Sequence, residues 1–198
     1  TVAAVEGHAE VVRLLIEAGV DVDERVTGAE TPAEFMGATP LILALNNGQP
    51  QMATDLIALG ADVNARDNAG GAPILEAARQ GDGGMVRALI EAGAAASVRD
   101  NQGITPLMAA AYADSAELSW LLIDAGADVD ARTSTLNPAP IDGVTALMVA
   151  AEVGGERAVL AMILASADVG IKNRDGETAG DIAAAEGFDE IARILGSP

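Results

Sequence analysis

The chain has 198 residues, of which 50% are hydrophobic and only 2% aromatic, and its formal net charge at pH 7 is −19. With 11 cationic residues against 30 acidic ones, it lacks the clustered Lys and Arg that nucleic-acid phosphates or an anionic membrane surface require. The absence of cysteine excludes disulfides, thiolate zinc sites and a thiol nucleophile, and no apolar run approaches the roughly 18 to 20 residues that span a bilayer.

A short signature recurs along the chain at a nearly constant interval. Its copies start 33, 33, 40 and 33 residues apart and are Thr39-Pro40-Leu41, Ala72-Pro73-Ile74, Thr105-Pro106-Leu107, Thr145-Ala146-Leu147 and Thr178-Ala179-Gly180. A second signature keeps step with the first, and its copies span residues 19–23, 60–64, 126–130 and 166–170. Two patterns with one period predict a stack of helical repeats, in which each repeat buries its apolar face against its neighbours.

The repeat that begins at Asp100 shows how one period is built. Residues 100–103 form a turn cluster, in which Asn and Gly supply the positive φ that a hairpin tip needs. Thr105 and the following proline open a first helix, predicted to cover residues 107–112. Asp114 begins a second helix with a one-sided apolar stripe, and Gly126 ends it. Each repeat is therefore predicted to contain a hairpin, a helix, a loop and a helix.

These residues resemble the ankyrin repeat, which runs roughly D-x-x-G-x-T-P-L-H-x-A-A-x-x-G-x-x-x-x-V-x-x-L-L-x-x-G-A-D-V-N. The match is best over residues 37–64 and 103–130 and extends over essentially the whole chain. The resemblance implies an all-α repeat fold, an ankyrin-like solenoid of about six helix-loop-helix units joined by β-hairpin tips, in a single domain of residues 1–198. The units cover about residues 1–23, 24–66, 67–99, 100–131, 132–172 and 173–198.

One departure from the family pattern recurs in the first helices. The histidine that follows T-P-L in the family is replaced here by Ile42, Leu75, Met108, Met148 and Asp181. We therefore expect the hydrogen bonds that this histidine makes between repeats to be absent or replaced.

The two ends of the chain are predicted to differ. Residues 3–22 read like an internal repeat without a polar opening cap, and the chain lacks an initiator Met, so we expect the N-terminal end to be incomplete and covered by further protein or by a partner chain. Residues 178–195 are similar to the closing repeat of the family, in which an Asp and a shorter second helix cap the array.

Two hairpins are longer than the period allows and are candidate binding loops. The first, residues 24–36, carries about 8 extra residues and contains Phe35 and Met36 in an otherwise polar segment. The second, residues 133–141, carries about 7 extra residues and contains Leu136 at the start of a segment that Pro138 and Pro140 stiffen. Insertions of this kind map to loops on one face, often the binding face. Tolerated drift in surface loops is the alternative.

The concave surface of an ankyrin-like array is made by hairpin tips and by two variable residues at the end of each first helix. Carried over by position, these residues are Val5 and Glu6, Asn46 and Asn47, Arg79 and Gln80, Tyr112 and Ala113, Glu152 and Val153, and Ala185 and Glu186. Arg and Tyr are residue types that binding hot spots favour. The sequence predicts a partner-binding groove that includes Asn46, Asn47, Arg79, Gln80, Tyr112 and Glu152, with a merely solvated groove as the alternative.

Trp120 lies at a second-helix position that should face outward. Other repeats place Arg13, Thr54, Arg87 and Arg193 there, and the repeat after Trp120 places Leu160 there. Two large apolar side chains on neighbouring helices would form a patch for another domain or chain. Isolated exposed apolar residues are also common, so an incidental exposure is the alternative.

The sequence contains no catalytic constellation. His8 is the only histidine, which in this family belongs to a structural Gly-His turn, and no phosphate-binding glycine loop is present. The Asp pairs Asp21/Asp23 and Asp128/Asp130 lack the spacing of a calcium loop and coincide with predicted turns. We therefore expect no catalytic residue, no cofactor and no metal site.

The favoured function is a protein–protein interaction module that binds a partner through the concave groove and the enlarged hairpins. The alternative is a structural or assembly segment that packs on an upstream domain or a neighbouring subunit of a larger complex. An enzyme would need an active site outside these residues. The acidic balance either selects a basic partner or only keeps an Ala-rich array soluble. The preference for Arg over Lys suggests a bacterial source, with the compartment, cytoplasmic or periplasmic, left open.

Overall fold

A computed structural model describes residues 8–27, 35–134 and 142–196. Over these residues the chain forms eleven α-helices, and the same residues contain no β-strand. The chain divides into two compact units, Thr1–Ala95 and Ala96–Pro198. The predicted all-α repeat architecture is confirmed, while the extent of a single domain over the whole chain stays a prediction.

The first compact unit contains five of these helices. They are α1 (Ala9–Glu17), α2 (Pro40–Asn46), α3 (Pro50–Ala58), α4 (Pro73–Arg79) and α5 (Gly83–Glu91). Helix α2 packs against α3 within its repeat and against α4 of the next repeat, and α3 packs against α5 in the same way. The shorter and longer helices thus form two adjacent layers, and neither would be stable alone.

The second compact unit contains the other six helices of the described residues. They are α6 (Pro106–Tyr112), α7 (Ala116–Asp124), α8 (Ala146–Glu152), α9 (Glu156–Leu164), α10 (Ala179–Ala185) and α11 (Asp189–Ile194). Helices α6, α8 and α10 pack in succession, and α7 packs against α9. Helix α11 has six residues where the other second helices have nine, as expected of a closing repeat. None of the described helices is long and apolar enough to cross a membrane.

The first helix of most repeats begins at a threonine cap. The side chain of Thr105 accepts a hydrogen bond from the backbone N–H of Met108 at 3.2 Å, and Thr145 does the same with Met148 at 3.3 Å. Thr178 forms a reciprocal capping box with Asp181. These bonds satisfy N–H groups that a helix start otherwise leaves unpaired. The threonines of the recurring signature therefore fix where each first helix begins.

The sequence predicted that the second helix of this repeat begins at Asp114, and this prediction differs from the structure. Asp114 has φ of +47°, in the left-handed region, and its repeat's second helix starts at Ala116 with Ser115 as the N-cap. The prediction was wrong because a residue with positive φ turns the chain instead of starting a helix. The predicted helix end is confirmed, since Gly126 follows the helix with φ of +89°.

Apolar burial replaces the histidine of the family pattern. Ile42, Leu75, Met108 and Met148 are all buried between neighbouring helices. Asp181, at the same position in the last repeat, is exposed and belongs to the capping box. The core consequently relies on close packing of aliphatic side chains at these positions, with no hydrogen bond to orient them.

Candidate functional site

Polar side chains link the outer ends of successive repeats within each compact unit. In the first unit, the carboxylate of Asp23 accepts a hydrogen bond from the N–H of Asp62 at 3.0 Å. Asn64 accepts from the N–H of Ala95 at 2.9 Å and donates to the carbonyl of Gly93 at 3.0 Å. In the second unit, Asp130 accepts from the N–H of Asp168 at 2.9 Å, and Ser97 donates to the carbonyl of Gly126 at 2.8 Å.

The acidic pairs that resemble calcium ligands are therefore turn residues. Asp21 accepts a hydrogen bond from the N–H of Asp23 at 2.9 Å, and Asp128 accepts one from the N–H of Asp130 at 3.2 Å. Both are Asx-type turns, in which a side chain closes its own backbone turn. Among the described residues, no group of three or more acidic or histidine side chains is placed to hold a metal ion.

Arginine side chains tie the hairpin tips together. Arg99 donates to the main-chain carbonyl of Arg132 at 3.2 Å, and Arg132 donates to that of Lys172 at 2.7 Å. In the first unit, Arg25 donates to the carbonyls of Gly37, at 2.9 Å, and of Arg66. These guanidinium groups satisfy backbone oxygens at the repeat boundaries, and Arg99 also pairs with the carboxylate of Asp128 at 3.5 Å.

The predicted groove residues of the first unit lie at the ends of α2 and α4. Asn47 donates to the carbonyl of Leu43 at 2.8 Å, and Gln80 donates to the carbonyl of Leu45 in the neighbouring repeat. Arg79 pairs with Glu76 at 2.7 Å, three residues earlier on the same helix. Asn46 is exposed. Asn47, Gln80 and Arg79 are therefore each held by a hydrogen bond at these helix ends, next to the exposed Asn46.

Tyr112 and Glu152 lie at the ends of the adjacent helices α6 and α8 in the second unit. The Tyr112 side chain is 72% exposed, and Glu152 is also exposed. Val153 directly follows α8, and Glu186 directly follows α10; both residues are also exposed. At these positions the second unit presents an aromatic ring and two carboxylates without a cation.

The bases of both enlarged hairpins are paired by backbone hydrogen bonds. Val26 donates to Ala38 at 2.9 Å and Gly37 donates to Val26 at 3.0 Å. At the second hairpin, Thr133 donates to Val144 at 2.9 Å and Gly143 donates to Thr133 at 2.9 Å. Each insertion therefore starts from a closed base. Leu136 lies outside the described residues.

The sequence places Phe35 and Met36 in an otherwise polar loop, but in the structure neither side chain is free. Phe35 is half-buried and packs against a core cluster that includes Ala38, Ile42 and Ala65. Met36 is half-buried too, and its carbonyl accepts from the N–H of Asn68 at 3.0 Å. The insertion returns to the core at this point, so both residues anchor the hairpin, and a role in partner binding stays a prediction.

Trp120 and Leu160 are exposed on the packed helices α7 and α9. Trp120 is 41% exposed and Leu160 is 49% exposed. Leu164, one turn after Leu160, is 73% exposed. The sequence reading missed Leu164, although its i+4 spacing from Leu160 places both on one helix face. We call Trp120, Leu160 and Leu164 the apolar ridge.

Two further residues were missed by sequence reasoning. Phe188 covers Gly154 so closely that a methyl group added there would collide with the ring. The carboxylate of Asp114 accepts a hydrogen bond from the N–H of Ala158 at 2.9 Å, 44 residues later in the sequence. Both contacts join neighbouring repeats through residues that are far apart in the sequence, so no local pattern signals them.

A cleft in the first unit has no catalytic arrangement. It is lined by Glu10, Arg13, Asp55, Ala58 and Leu59 and has a volume of about 230 Å³. The hydrogen bond with Glu10 raises the pKa of Arg13, which fixes a positive charge on that side chain. His8, the only histidine, is exposed at the start of α1.

Comparison with known proteins agrees with the repeat architecture. A family model described as ankyrin repeats, in three copies, matches residues 1–67 and 41–133. The chain is also similar to Protein phosphatase 1 regulatory subunit 27 of Homo sapiens and of Mus musculus, each 37% identical over 68 residues. That match covers 34% of this chain and 39% of the length of each relative.

Proposed function

This chain belongs to the ankyrin-repeat family, whose members are generally protein–protein interaction modules, and we propose that it binds a protein partner through the concave ends of its first helices. The family is one of non-enzymatic modules, and we propose that this chain has no catalytic activity of its own. The proposed surface is described within each compact unit: the ends of α2 and α4 in the first, and of α6, α8 and α10 in the second.

The exposure of Tyr112 is the observation that carries this proposal. An aromatic ring that is 72% exposed offers a large and rigid contact area, while fixing its few rotatable bonds costs little on binding. The preceding part of α6 is mostly buried, with Leu107, Met108, Ala110 and Ala111 inside. The buried part of the helix therefore fixes the backbone from which the ring projects, as a binding anchor requires.

Polar groups at the ends of the first helices in the first unit would set specificity. Arg79 is oriented by Glu76 and Asn47 by its own helix, so each presents its polar group with less freedom to lose. The enlarged hairpins, whose bases are closed, would extend this contact area. The relatives point in the same direction, because their name describes a regulatory subunit of a protein phosphatase.

The test compares proteins captured by the 198-residue chain with those captured by single-residue variants. We expect Tyr112→Ala to lose the specifically captured partner, because it removes the ring and leaves the backbone unchanged. Tyr112→Phe should retain most of the binding. Val169→Ala, at another exposed apolar position of the second unit, is the matched control and should behave as wild type.

A structural or assembly role is the second candidate, and the exposure of the apolar ridge favours it. In that case Trp120→Arg and Leu160→Arg would prevent capture, while Tyr112→Ala would retain it. That pattern would overturn the concave-surface proposal.

A further inference from the structure

The apolar ridge stands where other repeats carry charged or polar side chains. Arg13 and Arg193 occupy the position equivalent to Trp120, and each forms an ion pair with the glutamate three residues before it, Glu10 or Glu190. In α7 the equivalent glutamate is Glu117, but the residue three positions later is Trp120 instead of an arginine, so this ion pair cannot form. The apolar ridge therefore lies next to a carboxylate, Glu117, that has no arginine at the pairing position.

The charges around the ridge are mostly negative. Helices α7 and α9 lie wholly within the described residues and carry three acidic residues, Glu117, Asp124 and Glu156, and one cation, Arg157. Glu117 and Asp124 flank Trp120 at i−3 and i+4, on the same helix face, and both are exposed. Neither forms an ion pair within the described residues.

A second copy of this chain fits the ridge poorly. Two copies would bring together two bodies with a formal net charge of −19 each, and the carboxylates flanking the ridge would meet like charges. A partner with positive charges beside an apolar stripe avoids both the repulsion between two acidic chains and the contact between like-charged carboxylates. Its aliphatic or aromatic residues would cover Trp120, Leu160 and Leu164, while its Lys or Arg would meet Glu117, Asp124 and Glu156.

We propose that the apolar ridge is a second docking surface, distinct from the concave ends of the first helices, and that it binds an amphipathic helical segment whose apolar face is flanked by Lys or Arg. The partner helix lies along α7 and α9 and covers the ridge. The apolar contact supplies most of the affinity, and the flanking charges select cationic over anionic segments.

Trp120 provides a local readout, because it is the only tryptophan in the chain. The probes are two synthetic helical peptides of about 15 residues with the same leucine face, one flanked by Lys and the other by Glu. We expect the Lys peptide to shift Trp120 emission to the blue as the ring leaves water, and to bind more weakly as salt screens the charges. The Glu peptide should bind at least ten-fold more weakly.

Variants of the ridge test the same contact without changing the peptide. Leu164→Ala should weaken binding of the Lys peptide about ten-fold, since most of that side chain is exposed and would be buried by the partner. Leu160→Arg should abolish binding, because it restores the residue type of Arg193 and repels Lys. Val169→Ala is the control for an exposed apolar residue elsewhere and should not change the affinity.

Three results would overturn the proposal. Equal binding of the Lys and Glu peptides would mean that the ridge takes any apolar segment, as expected for packing on a neighbouring domain. A shift of Trp120 emission with protein concentration alone, matched by dimers in analytical ultracentrifugation, would identify a second copy as the occupant. Binding of the Lys peptide without any change in Trp120 emission would place the contact elsewhere. None of these outcomes depends on whether Tyr112 binds a partner.

Discussion

Asp114 caps a helix of the next repeat, and its removal makes the sharpest test of how the repeats are joined. The N-cap of α9 is Gly155, which has no side chain to accept the free N–H groups of the helix start. The carboxylate of Asp114 takes that role by accepting from the N–H of Ala158 at 2.9 Å. Asp114 does so from a left-handed backbone conformation with φ of +47°, where other repeats have a glycine such as Gly154 at +69°.

The cap that Asp114 provides stabilises the chain, and its left-handed backbone conformation destabilises the chain by a similar amount. Different substitutions at this position therefore separate the two effects. Losing a capping carboxylate costs about 1 kcal/mol, and a non-glycine residue in the left-handed region costs about 1 kcal/mol relative to glycine. Asp114→Gly loses the cap and relieves the backbone, so we expect almost no net change in stability. Asp114→Ala loses the cap and keeps the strain that the wild type already carries, so it should destabilise the chain by about 1 kcal/mol.

Asp114→Asn is the matched control for the charge. It keeps a hydrogen-bond acceptor and tolerates positive φ, but it loses the attraction between a carboxylate and the positive end of α9, which is about 0.5 kcal/mol. The expected order of stability places the Gly variant close to wild type, then Asn, then Ala. Urea denaturation of the three variants measures these differences.

Amide hydrogen exchange at Ala158 is the local readout. Its N–H should exchange faster in the Gly and Ala variants, although only the Ala variant is globally destabilised. Equal destabilisation by Gly and Ala would show that the left-handed conformation carries no strain. Unchanged exchange at Ala158 in both would show that Asp114 does not cap α9.

Three further substitutions test the contacts that position the surfaces. Asn64→Ala removes two hydrogen bonds to the next repeat and should destabilise the first unit by about 1 to 2 kcal/mol in urea denaturation; an effect below about 0.3 kcal/mol would contradict it. Gly154→Ala should lower the melting temperature more than Gly187→Ala, because both have positive φ but only Gly154 lies under Phe188; equal shifts would refute the ring contact. Thr145→Ala should cost about 1 kcal/mol, and an intact melting temperature would argue against the cap.

Helix starts could be predicted from the sequence because a cap acts over three residues. The Thr105 hydroxyl and the N–H of Met108 are close neighbours in the chain, so the recurring threonine signals the helix start directly. The same holds for Gly126, whose positive φ ends a helix regardless of its surroundings. Threonine caps and helix-ending glycines recur with the repeat period. The spacing of these residues in the sequence was therefore enough to predict the fold class.

Contacts between repeats could not be predicted in the same way. Asp114 looked like the first residue of a helix because it is polar and precedes an apolar stripe, yet its partner, Ala158, lies in the next repeat. Phe35 looked exposed because its sequence neighbours are polar, yet it packs against a core cluster that includes Ala65, 30 residues later. In both cases the structure brings together residues that are far apart in the sequence.

The positions of the arginines connect the fold to both proposed surfaces. Arg25, Arg99 and Arg132 each donate to a main-chain carbonyl about one repeat period later in the sequence, so these cations are held at the tips of the hairpins. Arg99 also pairs with the carboxylate of Asp128 at 3.5 Å. Within the described residues, Glu117 and Asp124 beside Trp120 and Glu152 near Tyr112 form no ion pair, so the surroundings of both rings are acidic. A partner approaching either ring therefore meets carboxylates first. Added salt should slow its association far more than it speeds its dissociation, because screening acts on the approach and not on the buried ring.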